Sequence, residues 1–234
     1  MKKYVEIGYP VYPGMPVYPG LPEVELKLRE DLLKGDYWNG SVLTTYLHAG
    51  THVDAPWHYM GGDAPKLDDL QALPTESFVY EHPILIDIDA NVPNYEISVE
   101  DLKKAGDELY EADAIFFNTG YWKYRSVDFM KYATGFAAVG PDAAKFIRLE
   151  LPKVKAVAID TLSIENTGKD FGVARDFVVH KTFLNPELAE NTVRIYEDIN
   201  PEPIIGKKMT MAFCSPCRIR GDATICNIIC QVEE

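Results

Sequence analysis

No stretch of this sequence approaches the ~20 consecutive apolar residues that a membrane-spanning helix needs. Its opening, MKKYVEIGYPVYPG, reaches proline and glycine before any hydrophobic run of leader length. A cytoplasmic protein with no membrane partner is therefore expected. Positive charge is scarce too: 23 Lys and Arg stand against 36 Asp and Glu, giving a formal net charge of -13. Such a surface repels phosphate backbones, so a nucleic-acid partner is not expected. There are no internal repeats or low-complexity runs. Cysteine is confined to Cys214, Cys217, Cys226 and Cys230. The CxxC and CxxxC spacings invite a zinc reading. The better reading is two strands around a Gly221-Asp222 turn, with Cys226, Ile228 and Cys230 alternating onto one buried face.

What is present is an ordinary core. The chain has 234 residues, 47% of them hydrophobic, which suits one domain spanning residues 1–234. Residues 10–22, PVYPGMPVYPGLP, cannot sit inside a helix or a central strand and read as an ordered loop or edge segment. Short β-branched runs predict strands at Pro83–Ile88, Ala114–Phe117, Val154–Ile159, Met209–Phe213 and Thr224–Val232. Ser98 with Asp101 forms a capping-box pattern ahead of the stripe Val99, Leu102, Ala105, Leu109. Pro141 opens a second helix over Asp142–Leu149. This order predicts an α/β fold with a mixed sheet flanked by helices. Polar residues at strand ends (Asp87, Asp89, Asn118, Asp160) are compatible with a site along that edge.

The chemistry concentrates in LHAGTHVDAPWHY, Leu47 to Tyr59, which holds three of the five histidines in the spacing H-x3-H-x-D-x3-H. Gly50, Thr51, Val53 and Pro56 argue against a helix. In an extended chain, His48, His52 and Asp54 share one face, and Gly50 leaves space between them. Two imidazoles and a carboxylate are the donor set of zinc, manganese and iron(II) sites.

HAGTHVDAPWH resembles the HxGTHxDxPxH motif of the cyclase family of metal-dependent hydrolases, which includes bacterial kynurenine formamidases and isatin hydrolases. Residues 10–20, Asn118-Thr119-Gly120-Tyr121 with Lys123-Tyr124, and Ala158–Ser163 resemble further segments of that family, so the likeness covers most of the chain. It implies a swivelling β/β/α-like fold and one or two divalent ions per chain, Zn2+ first and Mn2+ second. It implies His48, His52 and Asp54 as ligands of one ion, with Asp54 bridging to a second. His180 and a glutamate that begins an E-N-L step complete that second site. Glu190-Asn191-Thr192 is the candidate step, with Glu187 the other choice. His58 is implied as general acid/base, and Tyr18 falls where formamidases place a tryptophan against an aromatic substrate. A homodimer is implied as well.

The expected activity is hydrolysis of a small amide C–N bond by metal-activated water, with N-formylkynurenine of tryptophan catabolism as the leading substrate. Opening of a cyclic amide of the isatin type is the alternative. Tyr18, Leu21 and the His180–Glu190 spacing depart from the family pattern and keep a third reading open, a metal-containing small-molecule binding protein without turnover.

Overall fold

The computed structural model describes residues 1–59, 70–71, 73–165, 176–189 and 192–233. Its strands are β1 (Lys2–Glu6), β2 (Glu25–Glu30), β3 (Gly40–Thr44), β4 (His52–Asp54), β5 (Val79–Tyr80), β6 (Pro83–Asp87), β7 (Glu96–Ile97), β8 (Ala114–Asn118), β9 (Ala138–Val139), β10 (Ala156–Ile159), β11 (Arg194–Glu197), β12 (Lys208–Pro216) and β13 (Ala223–Glu233). Its α-helices are α1 (Val99–Lys103), α2 (Glu108–Glu111), α3 (Phe129–Thr134), α4 (Pro141–Glu150) and α5 (Val178–Leu184). No helix among the described residues is long and apolar enough to cross a membrane.

Nine strands form one mixed sheet in the order β5-β12-β13-β4-β11-β10-β8-β6, with β1 also paired to β13. Strands β6, β8, β10 and β11 run parallel to one another. From β4 onward the pairing is antiparallel. The sheet curls until β12 packs against β6, so it is nearly closed. A parallel strand covered on both faces can be apolar throughout. β10 (AVAI) is buried at all four positions, and β8 (AIFFN) at its first four.

Alternation along these strands separates two cores. Ile115, Phe117, Val157, Ile159 and Ile195 face the helices, packing with Leu102, Ile147, Val179 and Phe183. Ala114, Phe116, Ala156, Ala158 and Tyr196 face the barrel interior, packing with Val53, Cys214, Ile228 and Cys230. The cysteines are thus core side chains at Cys214, Cys226 and Cys230, while Cys217 is exposed. No cysteine joins a possible metal-holding group among the described residues.

The five expected strands are all present, and the mixed α/β architecture is the one expected. The expected stripe over Val99–Leu109 is not one helix. The Ser98–Asp101 capping box starts α1, but Gly106 then takes φ +62, and α2 restarts after it. Leu102 and Leu109 are still fully buried, because two short helices place them on the same core. Strands β2 and β3 form a separate two-stranded ribbon that is not among the strands expected from the sequence.

Candidate metal centre

β4 lies antiparallel between β11 and β13, where the parallel half of the sheet meets the antiparallel half. Asp54 is opposite Ile195 and Ala223, and His52 is opposite Glu197 and Ile225. Val53 points into the barrel core, so His52 and Asp54 point to the other face, as Glu197 does.

The extended arrangement expected from His48 to Asp54 holds only over His52–Asp54. His48 sits in a turn, and Gly50 adopts φ +72, a left-handed conformation suited to glycine. A side chain at position 50 would also press on Met15, whose Cε would lie 2.8 Å from its Cβ. The turn, rather than strand alternation, brings the His48 and His52 rings to 5.0 Å, centre to centre.

Asp54 stands at the middle of the cluster. Its Oδ1 is 3.0 Å from His48 Nδ1 and 3.4 Å from His52 Nε2, and its Oδ2 is 3.7 Å from His180 Nε2. Glu197 spans the same space, with Oε1 3.4 Å from His180 Nε2 and Oε2 3.4 Å from His52 Nε2. Three overlapping donor sets result among the described residues: two share Asp54 (His48, His52 and Asp54, and Asp54, His180 and Glu197), and the third, His48, His58 and Asp222, lies at the less buried edge. His180 comes from α5, and its Nδ1 is 2.9 Å from Glu165. His52 Nδ1 is 2.8 Å from the carbonyl of Gly50. In each ring Nε2 is left facing the carboxylates.

Two observations say that this space fits a cation. His52 Nε2 and both oxygens of Asp54 are buried without a hydrogen-bond partner. A buried, unpaired charge is costly unless an ion or proton compensates it. The imidazoles also lean toward the charged form. Burial works against charge on His180, but Glu165, Glu197 and Asp54 outweigh it and raise its pKa to about 9. His52 follows the same pattern, with burial opposed by Asp54 and Glu197, and sits well above its ordinary range. Burial pushes the Asp54 carboxyl up, yet the His48, His52 and His58 rings hold it well below the usual carboxylate range.

His58 follows in the 3-10 turn Pro56–Tyr59. Its ring lies 4.1 Å from that of His48 and 6.0 Å from that of His180. Four of the five histidines thus meet here, while His82 is exposed. Tyr59 lies against His180 (4.6 Å) and Phe177 (5.3 Å), forming an aromatic wall beside the cluster. Phe177 holds φ +48, uncommon for a bulky residue.

Glu190 lies outside the described residues, and Glu187 is exposed in a turn. Among the described residues, the glutamate that joins His180 and Asp54 is Glu197. The sequence predicts no strand over Arg194–Glu197, so Glu197 does not stand out there as a ligand. A signal was available: Glu197-Asp198-Ile199 keeps the acid, Asx, aliphatic order of an E-N-L step and ends a short apolar run. Asp198 adopts φ +54, a conformation that Asp and Asn tolerate better than most residues. Arg125 pins its carboxylate with two 2.8 Å hydrogen bonds, and the Thr51 hydroxyl donates to its carbonyl. That anchor ties the strand end bearing Glu197 to the residue before His52. Tyr18 is half-buried and lines a cavity of about 530 Å3 with Tyr12, Met15, Arg125 and Phe129. None of the four clustered histidines lines that cavity.

Comparison with known proteins agrees with this fold. The model of the Cyclase family, described as "Putative cyclase", matches residues 5–166. A search of curated proteins gave no significant match. Among solved structures, the chain is similar to isatin hydrolase A from Labrenzia aggregata bound to benzyl benzoate, with TM-score 0.78 and 18% identity over 100% of this chain and 94% of that one. It is similar to an isatin hydrolase bound to the product analogue thioisatinate, with TM-score 0.80 and 17% identity over 100% and 93%. It is also similar to a predicted metal-dependent hydrolase from Bacillus stearothermophilus, with TM-score 0.71 and 23% identity over 99% and 98%. At these identities the likeness is one of fold. The family model covers well over half of the chain, including every residue from His48 to Glu165 used above, and the chain belongs to the cyclase family.

Proposed function

We propose that this protein is a metal-dependent hydrolase that cleaves the C–N bond of a small aromatic amide. The observation that carries the reading is the convergence of His52 Nε2 and both Asp54 oxygens, buried and unpartnered, with His180 and Glu197 around them. His48, His52 and Asp54 would hold one divalent ion, and Asp54, His180 and Glu197 a second. Zinc is the first choice and manganese the second, since both accept imidazole and carboxylate ligands. When bound, such an ion supplies Lewis acidity at the carbonyl and lowers the pKa of water from about 15.7 to about 7.

The chain's own residues do the rest. Asp54 and Glu197 fix where positive charge sits. His58, partly exposed beside His48, would take a proton from attacking water and return it to the departing nitrogen. Tyr59 and Phe177 would offer flat apolar surface to an aromatic ring beside the carboxylates. An aryl formamide such as N-formylkynurenine is the first substrate to test. The isatin hydrolases among the similar folds make a fused lactam the second.

A homodimer completes the proposal. The β2–β3 ribbon exposes Leu26, Leu28, Val42 and Leu43, and the turn between its strands exposes Leu33, Tyr37 and Trp38. An isolated two-stranded ribbon is marginal in water, so a second copy is the natural cover.

The test is metal analysis of the purified protein, followed by assay on formanilides, N-formylkynurenine and isatin. His58→Ala should keep the metal and lose at least about a hundredfold in turnover. Loss of metal from that variant would instead make His58 a ligand. A metal-loaded protein that binds these compounds without forming product would overturn the hydrolase reading.

A further inference from the structure

In the sequence, Gly221-Asp222 marks only a turn. In the structure, that turn between β12 and β13 reaches the metal centre. The Asp222 carbonyl accepts a 2.9 Å hydrogen bond from the Ala55 amide, fixing the turn against the end of β4. Gly221 packs so closely on Leu47 that a Cβ would lie 2.5 Å from its Cδ1. So held, one carboxylate oxygen, Oδ2 of Asp222, stands 2.9 Å from His48 Nε2 and 3.4 Å from His58 Nδ1.

An ionised carboxylate only accepts hydrogen bonds, so each ring nitrogen facing it carries the hydrogen. In a neutral ring the other nitrogen then holds the lone pair. For His48 that nitrogen is Nδ1, 3.0 Å from Asp54 Oδ1, and a lone pair facing that carboxylate requires a cation shared between the two. For His58 it is Nε2. His52 and His180 are the reverse, because Gly50 and Glu165 engage their Nδ1 atoms. We infer that Asp222 is a positioning residue that sets the tautomers of His48 and His58 together, so that His48 presents Nδ1 to the ion and His58 presents Nε2 as the proton acceptor. Carboxylates behind histidine ligands commonly fix ring orientation and tautomer. Here one carboxylate serves a ligand and a proton carrier at once. The consequence for turnover rests on the hydrolase reading, whereas the tautomers do not.

Long-range 1H–15N spectra of the imidazole rings test it in the full chain, zinc-loaded, at a mildly alkaline pH. The expected pattern is hydrogen on Nε2 of His48 and on Nδ1 of His58, and hydrogen on Nε2 of His58 in the unaltered protein overturns the proposal. Asp222→Ala should release His58 to a mixture of tautomers, weaken zinc binding through His48 and, at saturating zinc, lower kcat at least about tenfold with KM within about twofold. Asp222→Asn keeps an acceptor oxygen and should recover part of that loss. An unchanged His58 pattern in Asp222→Ala also overturns the proposal. If the unaltered protein hydrolyses none of the amides, the hydrolase reading fails, and the spectra still decide the role of Asp222.

Discussion

Along β11, Arg194 and Tyr196 turn toward the barrel interior, while Ile195 and Glu197 turn toward the helices, so one buried strand carries a polar residue group on each face. On the interior face, Arg194 donates to the Tyr80 hydroxyl at 3.1 Å and to the Ser77 carbonyl at 2.7 Å, and Tyr80 and Tyr196 share a 3.1 Å contact between hydroxyls. The guanidinium also lies over the rings of Phe78 and Tyr80. On the other face, Glu197 joins Asp54 and His52, whose inward atoms have no hydrogen-bond partner. Both groups are equally buried. What separates them is satisfaction: a completed network rigidifies a core, and an incomplete one that is rich in carboxylates is built around something else.

The largest effects belong to the incomplete face. Asp54→Asn removes the carboxylate shared by two of the donor sets, and metal content and activity should vanish together, the latter by more than about a hundredfold. Metal should stabilise the unaltered protein by about 4 kcal/mol at a ~1,000-fold excess over Kd, read as a higher thermal midpoint, and should do nothing for this variant. Glu197→Gln should lose at least about tenfold in metal affinity, whereas Glu190→Gln should leave it unchanged. The reverse result would return the ligand role to Glu190.

These contrasts also show what the sequence could carry. His48, His52, Asp54 and His58 lie within eleven residues, so their spacing was legible without a fold. The strands β8 and β10 were legible because burial on both faces leaves an unbroken apolar run. β11 was not, because its four residues begin and end in charge, and Arg194 is buried only through aromatic rings and hydroxyls brought from elsewhere in the chain. Asp222 was not, because it meets His48 across 174 residues of chain, and locally it looks like any Gly-Asp turn. The ribbon was missed for the opposite reason: its apolar residues are exposed, so no burial pattern marks it.

Asp160 offers an intermediate case, satisfied yet charged. It ends the run of β10, the neighbour of β11, and accepts hydrogen bonds from the Thr119 amide (3.0 Å) and hydroxyl (2.6 Å). Full burial outweighs those bonds and raises its pKa from 3.8 to about 6. Between these values the folded chain binds more protons than the unfolded one, so this group's contribution to stability is lost as pH rises through about 6. The loss amounts to about 3 kcal/mol. Denaturant unfolding of the unaltered protein and of Asp160→Asn across that range should differ by this slope. Parallel curves would mean that the hydrogen bonds compensate the charge in full.

The smallest effect should come from the completed face. Arg194→Met keeps length and a polarisable contact with Phe78 and Tyr80, but it leaves the Ser77 carbonyl without its donor. Tyr80 retains Tyr196, so only part of the network is orphaned. The expected loss is about 2 kcal/mol, read as a lower urea midpoint with an unchanged m value. Metal content should stay at the level of the unaltered protein, because Arg194 and Glu197 act on opposite faces and share only the backbone of β11. Loss of metal on Arg194→Met would mean that the interior network sets the position of Glu197 through that backbone. Satisfaction would then not separate structure from site, and the two faces would have to be treated as one unit.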